Sequence, residues 1–330
     1  MIVCEPVTGL PEVRRGDDLA ALLARTADLR DGDVLVVTSK VVSKAEGRTV
    51  TCTKEEALAR ETDRVVARRG PTSIVRTRHG LVMAAAGIDA SNTAPGTLVL
   101  LPEDPDASAR RLREELLSLT GANVAVLVSD TSGRAWRTGQ TDIALGAAGL
   151  EPIDYHAGRD DGYGNVLAVT APALADEVTA AADLVTGKLS RSPAALVRGL
   201  DRFVLPSGEH GSGAARLIRP EEQDMFGLGA REAVLRAATR DDGRGFGAAS
   251  SPEELAEALQ GLLPMARVRT GSSLVRVDLP DPGVIDDREA GALAERATAA
   301  AFSHGWVLDR SLPEPADSPD RGLTLRPHTT

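Results

Sequence analysis

The segment VAVLVSDTSGRAWRTGQTD, residues 124–142, contains side chains suited to chemistry at the end of an apolar run. Asp130 and Thr131 lie where a buried strand is predicted to reach the surface, and strand ends in α/β folds commonly hold ligands and metals. Arg134 and a second arginine three residues later could bind phosphate or carboxylate within this glycine-containing stretch. The same residues could also form an ordinary turn with solvated arginines.

Asp89 stands in the same relation to a second apolar run, LVMAAAGI at residues 81–88, and is followed by Ser91 and Asn92. Two such aspartates with hydroxyl and amide neighbours form an all-oxygen ligand set, which suits Mg²⁺ or Mn²⁺. We therefore predict a divalent cation site that includes Asp89 and Asp130. Taken alone, each aspartate could instead begin a turn.

The segment SKVVSK, residues 39–44, contains two of only four lysines in a chain with 38 basic residues. Because arginine is used almost everywhere else, Lys40 and Lys44 indicate a place that needs a compact ammonium group. Together with the Ser39 hydroxyl they could bind phosphate, although a charged surface loop would have the same composition. The chain has no GxxxxGK[ST] motif, so a bound nucleotide would have to be held without a P-loop.

A third polar cluster is SGEHGSGAARLIRP, residues 207–220, which includes Glu209, His210, Arg216 and Arg219. Glycines at this spacing predict either a mobile loop or a backbone that approaches a ligand closely. The residues leave both interpretations open.

Composition and charge argue against several classes of protein. Apolar residues make up 42% of the chain, enough for a sizeable core, while a net charge of −10 and 2% aromatic residues disfavour nucleic-acid binding. No apolar run approaches the roughly 18 residues that a membrane span needs, and we expect a soluble, cytoplasmic protein. Cys4 and Cys52 are too few for a disulfide framework, and we expect both to be small buried hydrophobic residues.

Apolar runs alternate with helical patterns over residues 1–245 without a clean βαβ repeat, which predicts an α/β or an α+β fold with mixed sheets and packed helices. The predicted strands are residues 34–40, 81–88, 97–101, 124–130 and 165–170. The predicted helices are residues 17–26, 54–69, 107–120 and 172–187.

A polar, glycine-rich stretch at residues 238–251 predicts a linker to a second domain. Residues 252–310 are predicted to form a small α/β unit of unknown role, with two helices, at 252–263 and 286–305, and two strands. The tail at 311–330 is rich in Pro, Asp and Ser and is predicted to be disordered.

Several blocks occur in a recognisable order: GLPEVRRGDDL (9–19), DGDVLVVTSKVVSKAEGR (31–48), GLVMAAAGIDASN (80–92), SDTSGRAWRTGQTDIALGAAGL (129–150), DGYGNVLAVT (161–170), ADEVTAAADLVTGKL (175–189) and LIRPEEQDMF (217–226). They resemble the coenzyme F420-0:L-glutamate ligase family, also called F420 γ-glutamyl ligase, over roughly residues 1–230. The closest similarity is to the N-terminal domain of the actinobacterial two-domain enzyme. That enzyme continues into an FMN-binding domain, which the C-terminal residues of this chain do not resemble, so no flavin is expected.

The resemblance implies an α+β F420 γ-glutamyl ligase fold, an intertwined homodimer, and use of GTP to join L-glutamate to F420-0 through an acyl phosphate. It implies that Leu10, Pro11, Glu12 and Val13 line the guanine nucleotide. It also implies that Ser39 and Lys44 contact the nucleotide phosphates and that Asn92 contacts the nucleotide.

By the same resemblance, Asp89 and Asp130 would bind the first divalent cation, Mg²⁺ or Mn²⁺, and Thr131 the second, with K⁺ as a further candidate. Asp130, Lys44 and Arg134 are the candidate catalytic residues, Arg134 as an anchor for an anion. Three alternatives stay open: an amide ligase for a different acceptor carboxylate, a metal-dependent phosphohydrolase, and a non-catalytic nucleotide-binding protein.

Overall fold

The computed structural model describes residues 1–90, 96–187, 192–309 and 322–328, and the chain forms two compact units. The first unit comprises Met1–Val65 and Gly70–Ile218, and the second comprises Val66–Arg69 and Arg219–Thr330. The elements of the first stretch are, in chain order, β1 (Val3–Pro6), α1 (Leu19–Thr26), β2 (Val34–Thr38), α2 (Ser39–Ala45), β3 (Thr49–Val50), α3 (Lys54–Glu61), β4 (Thr62–Arg69), β5 (Thr72–Thr77), β6 (Val82–Ala84), β7 (Leu98–Val99), α4 (Pro105–Thr120), β8 (Ala125–Arg134), β9 (Arg137–Ala148), α5 (Leu174–Thr186) and β10 (Ala194–Arg198).

A five-stranded sheet in the order β1-β10-β2-β8-β9 forms the centre of the first unit. Only β2 and β8 pair in parallel, and the other neighbours are antiparallel. Two smaller antiparallel pairs, β3 with β7 and β5 with β6, lie outside this sheet. The predicted mixed α+β architecture is therefore confirmed.

The central sheet is buried on both faces, which explains the near-continuous apolar runs of β2 and β8. Leu35 and Val37 pack with residues of α1 and α4, whereas Val34 and Val36 pack with residues of α5. The end of β8 therefore emerges between two apolar layers.

Two of the predicted elements are wrong in this unit. The helix predicted at residues 54–69 ends at Glu61, and Thr62–Arg69 is the strand β4. The strand predicted at 165–170 is not formed, because in this described stretch a single bridge joins Asp160 and Val166 around a turn. The Asp161 side chain accepts hydrogen bonds from two backbone N–H groups there, which stabilises the turn instead of a strand.

The second unit contains α6 (Ala230–Thr239), α7 (Pro252–Leu262), β11 (Arg267–Thr270), β12 (Val275–Asp278), α8 (Asp287–Ser303), β13 (Trp306–Leu308) and β14 (Gly322–Pro327). The strands form an antiparallel sheet in the order β11-β12-β14-β13. Leu255, Leu259, Val277 and Trp306 contribute to its separate core.

The structure corrects two predicted boundaries. The first unit ends at Ile218 and not near 245, because residues from Arg219 onward pack with the C-terminal elements: the Phe246 ring lies edge-on to that of Phe302, 6.0 Å between centroids. The tail predicted to be disordered contains β14, whose Leu325 is fully buried between β12 and β13. Within the described residues, no helix is long and apolar enough to cross a membrane.

Candidate functional site

The helix α2 begins at Ser39, directly after the buried strand β2. Lys40 and Lys44 are one helical turn apart, so their side chains leave the same side of α2. The Ser39 side chain is only 4% exposed, and Ser43 is completely buried. The lysines, more than the hydroxyl groups, are therefore the accessible part of the SKVVSK segment.

Each lysine of α2 pairs with a carboxylate from another predicted site segment. Lys44 Nζ lies 2.6 Å from Glu12 Oε1, in the loop between β1 and α1. Lys40 forms an ion pair with Asp89. The structure thus brings together α2, the N-terminal loop and the segment around residue 89.

Asp89 follows a strained backbone segment. Ala85, Ala86 and Gly87 all have positive φ, at 49°, 53° and 68°, a region that alanine rarely occupies. A side chain at Gly87 would also lie 2.8 Å from Leu101. Asp89 itself is held by backbone hydrogen bonds in both directions with Val99. Such strain clusters at functional sites, and here it fixes the position of the Asp89 carboxylate.

Asp130 lies in the middle of β8, which continues to Arg134, and it is opposite Ile143 of β9. Ile143 packs with Leu145 against Met83 and Leu101. Because directly opposite residues share a face of the sheet, Asp130 lies on the face toward β6, the strand that leads to Asp89.

The pKa of the Asp130 carboxyl group is raised to about 7. Burial is the main cause because it disfavours the charged form, and the negative charges of Asp142 and Asp89 raise the pKa further. A backbone hydrogen bond at Thr131 and the positive charge of Lys40 act in the opposite direction. Asp130, Asp89 and Lys40 therefore share one electrostatic environment, although they come from three segments of the chain.

The opposite face of the same strand carries Ser129 and Thr131. Both hydroxyl groups donate to Asp142, Ser129 Oγ to Oδ2 and Thr131 Oγ1 to Oδ1, each at 2.9 Å. Thr131 therefore does not lie with Asp130 on the face toward β6. Sequence reasoning missed Asp142, although it precedes the apolar run of β9 just as Asp130 follows that of β8.

Arg134 lies at the exposed end of the β8–β9 hairpin and donates to the Thr138 carbonyl oxygen at 2.9 Å. It stands four positions after Asp130 in the strand, which corresponds to about 13 Å between Cα atoms. The structure does not bring these two residues together, and the catalytic role of Arg134 stays a prediction.

The remaining predicted nucleotide contacts are divided between surface and core. Pro11 and Glu12 are exposed, Leu10 is half-buried, and the Val13 side chain belongs to the core with only 3% exposed. Asn92 lies outside the described residues.

Two buried interactions hold the 207–220 segment in place. Arg113 donates to the carbonyl oxygens of Leu205, Pro206 and Glu209 at 2.6–3.0 Å. Asp106 accepts from the backbone N–H of Ala214 at 2.7 Å. These contacts favour a structural role for the segment over a mobile loop, and Arg113 was not singled out by the sequence.

A cavity of about 300 Å³ opens between α1, α2 and α4. Leu19, Val42 and Leu112 contribute apolar walls, and Glu46 pairs with Arg111 at 2.6 Å at its edge. None of the predicted site residues lines this cavity. The cluster of polar side chains around Asp130 is therefore chosen as the candidate site because of its chemistry, and not because of the volume of a cavity.

Among the described residues, no group of three or more His, Cys, Asp or Glu side chains is arranged to hold a metal ion. Asp89 and Asp130 offer two carboxylates, and Mg²⁺ typically binds through one or two carboxylates together with waters and substrate phosphates. Burial and the neighbouring negative charges of Asp142 and Asp89 raise the pKa of Asp130, and a bound cation would favour its charged form. The donor set therefore fits a hard divalent cation that is completed by a phosphate ligand.

The fold and site define an α+β protein with paired carboxylates and lysines at one edge of its central sheet. Residues 9–60 and 51–199 match the family model described as F420-0:Gamma-glutamyl ligase. The chain therefore belongs to the F420-0:γ-glutamyl ligase family, and the resemblance seen in the sequence is confirmed.

Three relatives carry the name coenzyme F420:L-glutamate ligase. The protein of Methanopyrus kandleri is 39% identical over 248 residues, 67% of this chain and 96% of its own length. Those of Archaeoglobus fulgidus and Methanothermobacter thermautotrophicus are 39% identical over 242 and 247 residues, again 67% of this chain and 94% and 96% of their own lengths. About a third of this chain lies outside each match.

Proposed function

We propose that this protein joins L-glutamate to coenzyme F420-0 in a reaction driven by GTP, and then adds further glutamates through γ-linkages. Family membership and the names of relatives at 39% identity support the ligase activity and its substrates. The use of GTP and the acyl-phosphate route are the further parts of the proposal.

The single observation that carries the mechanism is the common environment of Asp130, Asp89 and Lys40. Two carboxylates from separate segments interact electrostatically, and an ammonium group is paired with one of them. In this proposal Asp89 and Asp130 hold a Mg²⁺ or Mn²⁺ ion. When bound, the ion neutralises charge on the phosphate oxygens and so favours phosphoryl transfer. Lys40 is then free to leave Asp89 and pair with a phosphate.

The chemistry requires activation because a carboxylate is a poor electrophile. A carboxylate oxygen of F420-0 attacks the γ-phosphorus of GTP, the bond to the β-phosphate oxygen breaks, and GDP leaves. The amine of L-glutamate then attacks the acyl-phosphate carbonyl, inorganic phosphate departs, and the amine loses a proton. No covalent intermediate with a protein side chain is needed, so the protein acts by binding, orienting and neutralising charge.

The other residues serve binding in this scheme. Lys44, whose ammonium group already pairs with Glu12, contacts the nucleotide phosphates, and Leu10, Pro11, Glu12 and Val13 lie along the guanosine. Because the Val13 side chain is in the core, its contribution would come from the backbone. Ser39 and Asn92 complete the nucleotide contacts, Thr131 belongs to a second site for Mg²⁺ or Mn²⁺ with K⁺ as a further candidate ion, and Arg134 holds an anionic substrate.

We also propose a homodimer. The loop between β9 and α5 and the β8–β9 hairpin expose Tyr163, Val169 and Trp136 at 95%, 91% and 83%. Exposed side chains of this size are typical of surfaces that a partner covers. Sedimentation velocity of the full chain would give the oligomeric state directly.

The test of the function is mass spectrometry of the product made from F420-0, L-glutamate, GTP and Mn²⁺. We expect a mass increase of one glutamate residue, later several, with one GDP released for each. GDP released without F420-0 would indicate a phosphohydrolase, and glutamylation of another acceptor alone would indicate a different amide ligase. GTP binding without turnover would indicate a nucleotide-binding protein.

A matched pair of variants links the activity to the site. Asp130→Ala should abolish ligation while the folded far-ultraviolet circular dichroism spectrum is retained. Asp281→Ala removes an exposed aspartate of the second unit and should leave turnover unchanged. Near-normal turnover of Asp130→Ala at limiting Mn²⁺ would refute the assignment of the cation site.

A further inference from the structure

Asp142 forms a clamp across the β8–β9 hairpin. Its side chain is buried, with 8% of the residue exposed, and its two carboxylate oxygens accept one hydrogen bond each from Ser129 and Thr131. These two donors are the immediate neighbours of Asp130 in β8. The clamp therefore holds both sides of the residue that carries the candidate catalytic carboxylate.

Residues 129–133 of β8 form a short paired segment between two irregularities of the ladder. The register between β8 and β9 shifts between Val128 and Ser129 and again between Gly133 and Arg134. Irregularities of this kind interrupt the ladder and bend the strand. Residues 129–133 thus pair with β9 between two interruptions, and the hydrogen bonds of the clamp add to this short stretch of backbone pairing.

The clamp is anchored in turn to α5. Asp176 accepts a hydrogen bond from the backbone N–H of Ala144 at 2.9 Å, two residues after Asp142. Thr179 Oγ1 lies 3.4 Å from the carbonyl oxygen of Asp142 itself. Helix α5 therefore fixes β9, and Asp142 transmits that position to β8.

We propose that Asp142 is a positioning residue, which orients the end of β8 so that the Asp130 carboxylate is presented toward Asp89 and Lys40. The proposal rests on the proposed function only in assigning Asp130 to a divalent cation. A carboxylate suits the task because both hydroxyl groups can donate to it at once. Loss of the clamp would leave the buried hydroxyl group of Ser129 and the half-buried one of Thr131 without their acceptor and would loosen the orientation of the strand.

The asparagine variant separates hydrogen bonding from charge. Asp142→Asn and Asp142→Ala both remove the negative charge beside Asp130. Asparagine keeps one acceptor oxygen, and its NH₂ group can donate to a hydroxyl that turns around to accept. A difference between the two variants therefore reports the hydrogen bonds.

The experiment measures Mn²⁺ affinity by isothermal titration calorimetry and the kcat and KM for GTP on the full chain. We expect Asp142→Ala to weaken Mn²⁺ binding and lower kcat at saturating Mn²⁺ by about tenfold or more, corresponding to the loss of two hydrogen bonds. The KM for GTP should change less than twofold, because Lys44 is untouched. Asp142→Asn should retain most of the wild-type Mn²⁺ affinity and most of the wild-type kcat.

A destabilised control distinguishes positioning from general loss of stability. Val126→Ala opens a cavity in the fully buried part of β8, away from the clamp, and should lower the melting temperature while Mn²⁺ affinity stays within twofold. If Asp142→Ala does not fold, Ser129→Ala removes only one hydrogen bond, and we expect about threefold weaker Mn²⁺ binding.

Normal Mn²⁺ affinity in Asp142→Ala, or in Ser129→Ala where the first variant is unfolded, would overturn the proposal. Equal losses in the alanine and asparagine variants would overturn it too, since charge would then be the cause. Measuring Asp130→Ala in parallel distinguishes a failure of the clamp proposal from a failure of the proposed cation site. If that variant loses Mn²⁺ binding and Asp142→Ala does not, only the clamp is refuted, whereas normal binding in Asp130→Ala refutes the cation site itself.

Discussion

Asp130 should make the stability of the metal-free protein depend on pH in an unusual direction. Its pKa is about 7 in the folded protein and 3.8 as a reference value, so between these values the folded chain holds a proton that the unfolded chain has lost. The contribution of Asp130 is therefore most favourable below about pH 4 and falls as the pH rises to about 7, by at most about 4 kcal/mol.

The comparison that isolates this effect is wild type against Asp130→Asn, because asparagine cannot titrate. Urea unfolding in the presence of a chelator should give a stability difference that moves in favour of the variant between pH 4 and pH 7 and is constant above. A pH-independent difference would show that Asp130 ionises normally. Other carboxylates contribute equally to both proteins and cancel.

Lys44→Ala should raise the KM for GTP by about tenfold, because a charged hydrogen bond to phosphate contributes roughly 1.5–3 kcal/mol. The value of kcat should change less, since the residue binds nucleotide and not the acceptor. Lys54, an exposed lysine at the start of α3, provides the control, and Lys54→Ala should leave the KM unchanged. An unchanged KM in Lys44→Ala would remove this residue from the nucleotide site.

The sequence predicted Asp89, Asp130, Lys44 and Glu12 as site residues. In the structure Lys44 pairs with Glu12, Lys40 of the same helix pairs with Asp89, and Asp130 shares the electrostatic environment of the second pair. The sequence could not predict the ion pair of Lys40 with Asp89 or the clamp at Asp142, because both depend on contacts between segments distant in the chain. The sequence also could not predict the face of the sheet on which Thr131 lies, because that face depends on the register of β8 against β9.

At the scale of elements, the contact between β9 and α4 depends on a glycine. A side chain at Gly146 would lie 2.1 Å from the carbonyl oxygen of Pro105, the first residue of α4. Gly146→Ala should therefore destabilise the protein by about 2–3 kcal/mol, as overpacking against backbone does. Gly133, in the same hairpin, has nothing within 4 Å, and Gly133→Ala is the control.

Chemical denaturation of both glycine variants checks this prediction. We expect Gly133→Ala to unfold within about 0.5 kcal/mol of wild type, as a surface substitution usually does. Equal stability of the two variants would mean that α4 can move away from β9 without cost.

The start of α3 was more predictable than its end. Thr53 and Glu56 form a capping box at the start of α3, a local signal that the sequence displays. The change to strand at Thr62 was hidden because Arg64, only 4% exposed, occupies an inward position where an apolar residue is expected. In β14 the buried Leu325 was masked by the Pro-, Asp- and Ser-rich composition of the tail.

At the scale of the whole molecule, the second unit has a core of its own around Trp306. This side chain is 1% exposed, and its Nε1 donates to the Ser250 carbonyl oxygen at 3.0 Å. Trp306→Ala should destabilise the second unit by about 3–5 kcal/mol. Trp306→Phe keeps most of the apolar volume and should cost less. Calorimetric scans of both variants would show equal losses if Trp306 were not a core residue.

Those proposed site residues that the structure describes lie within the first unit, where residues 9–60 and 51–199 match the ligase family. The ligation rates of the Trp306 variants therefore also test whether the second unit contributes to activity. We expect Trp306→Phe to retain the ligation rate of the wild type at 25 °C.

The central claim is that GTP phosphorylates the F420-0 carboxylate before glutamate attacks. The most direct measurement is to label that carboxylate with ¹⁸O, allow one turnover, and examine the inorganic phosphate by mass spectrometry. The account predicts one ¹⁸O atom in each phosphate released, because the bridging oxygen of the acyl phosphate comes from the carboxylate. Formation of the glutamylated product with unlabelled phosphate would contradict it.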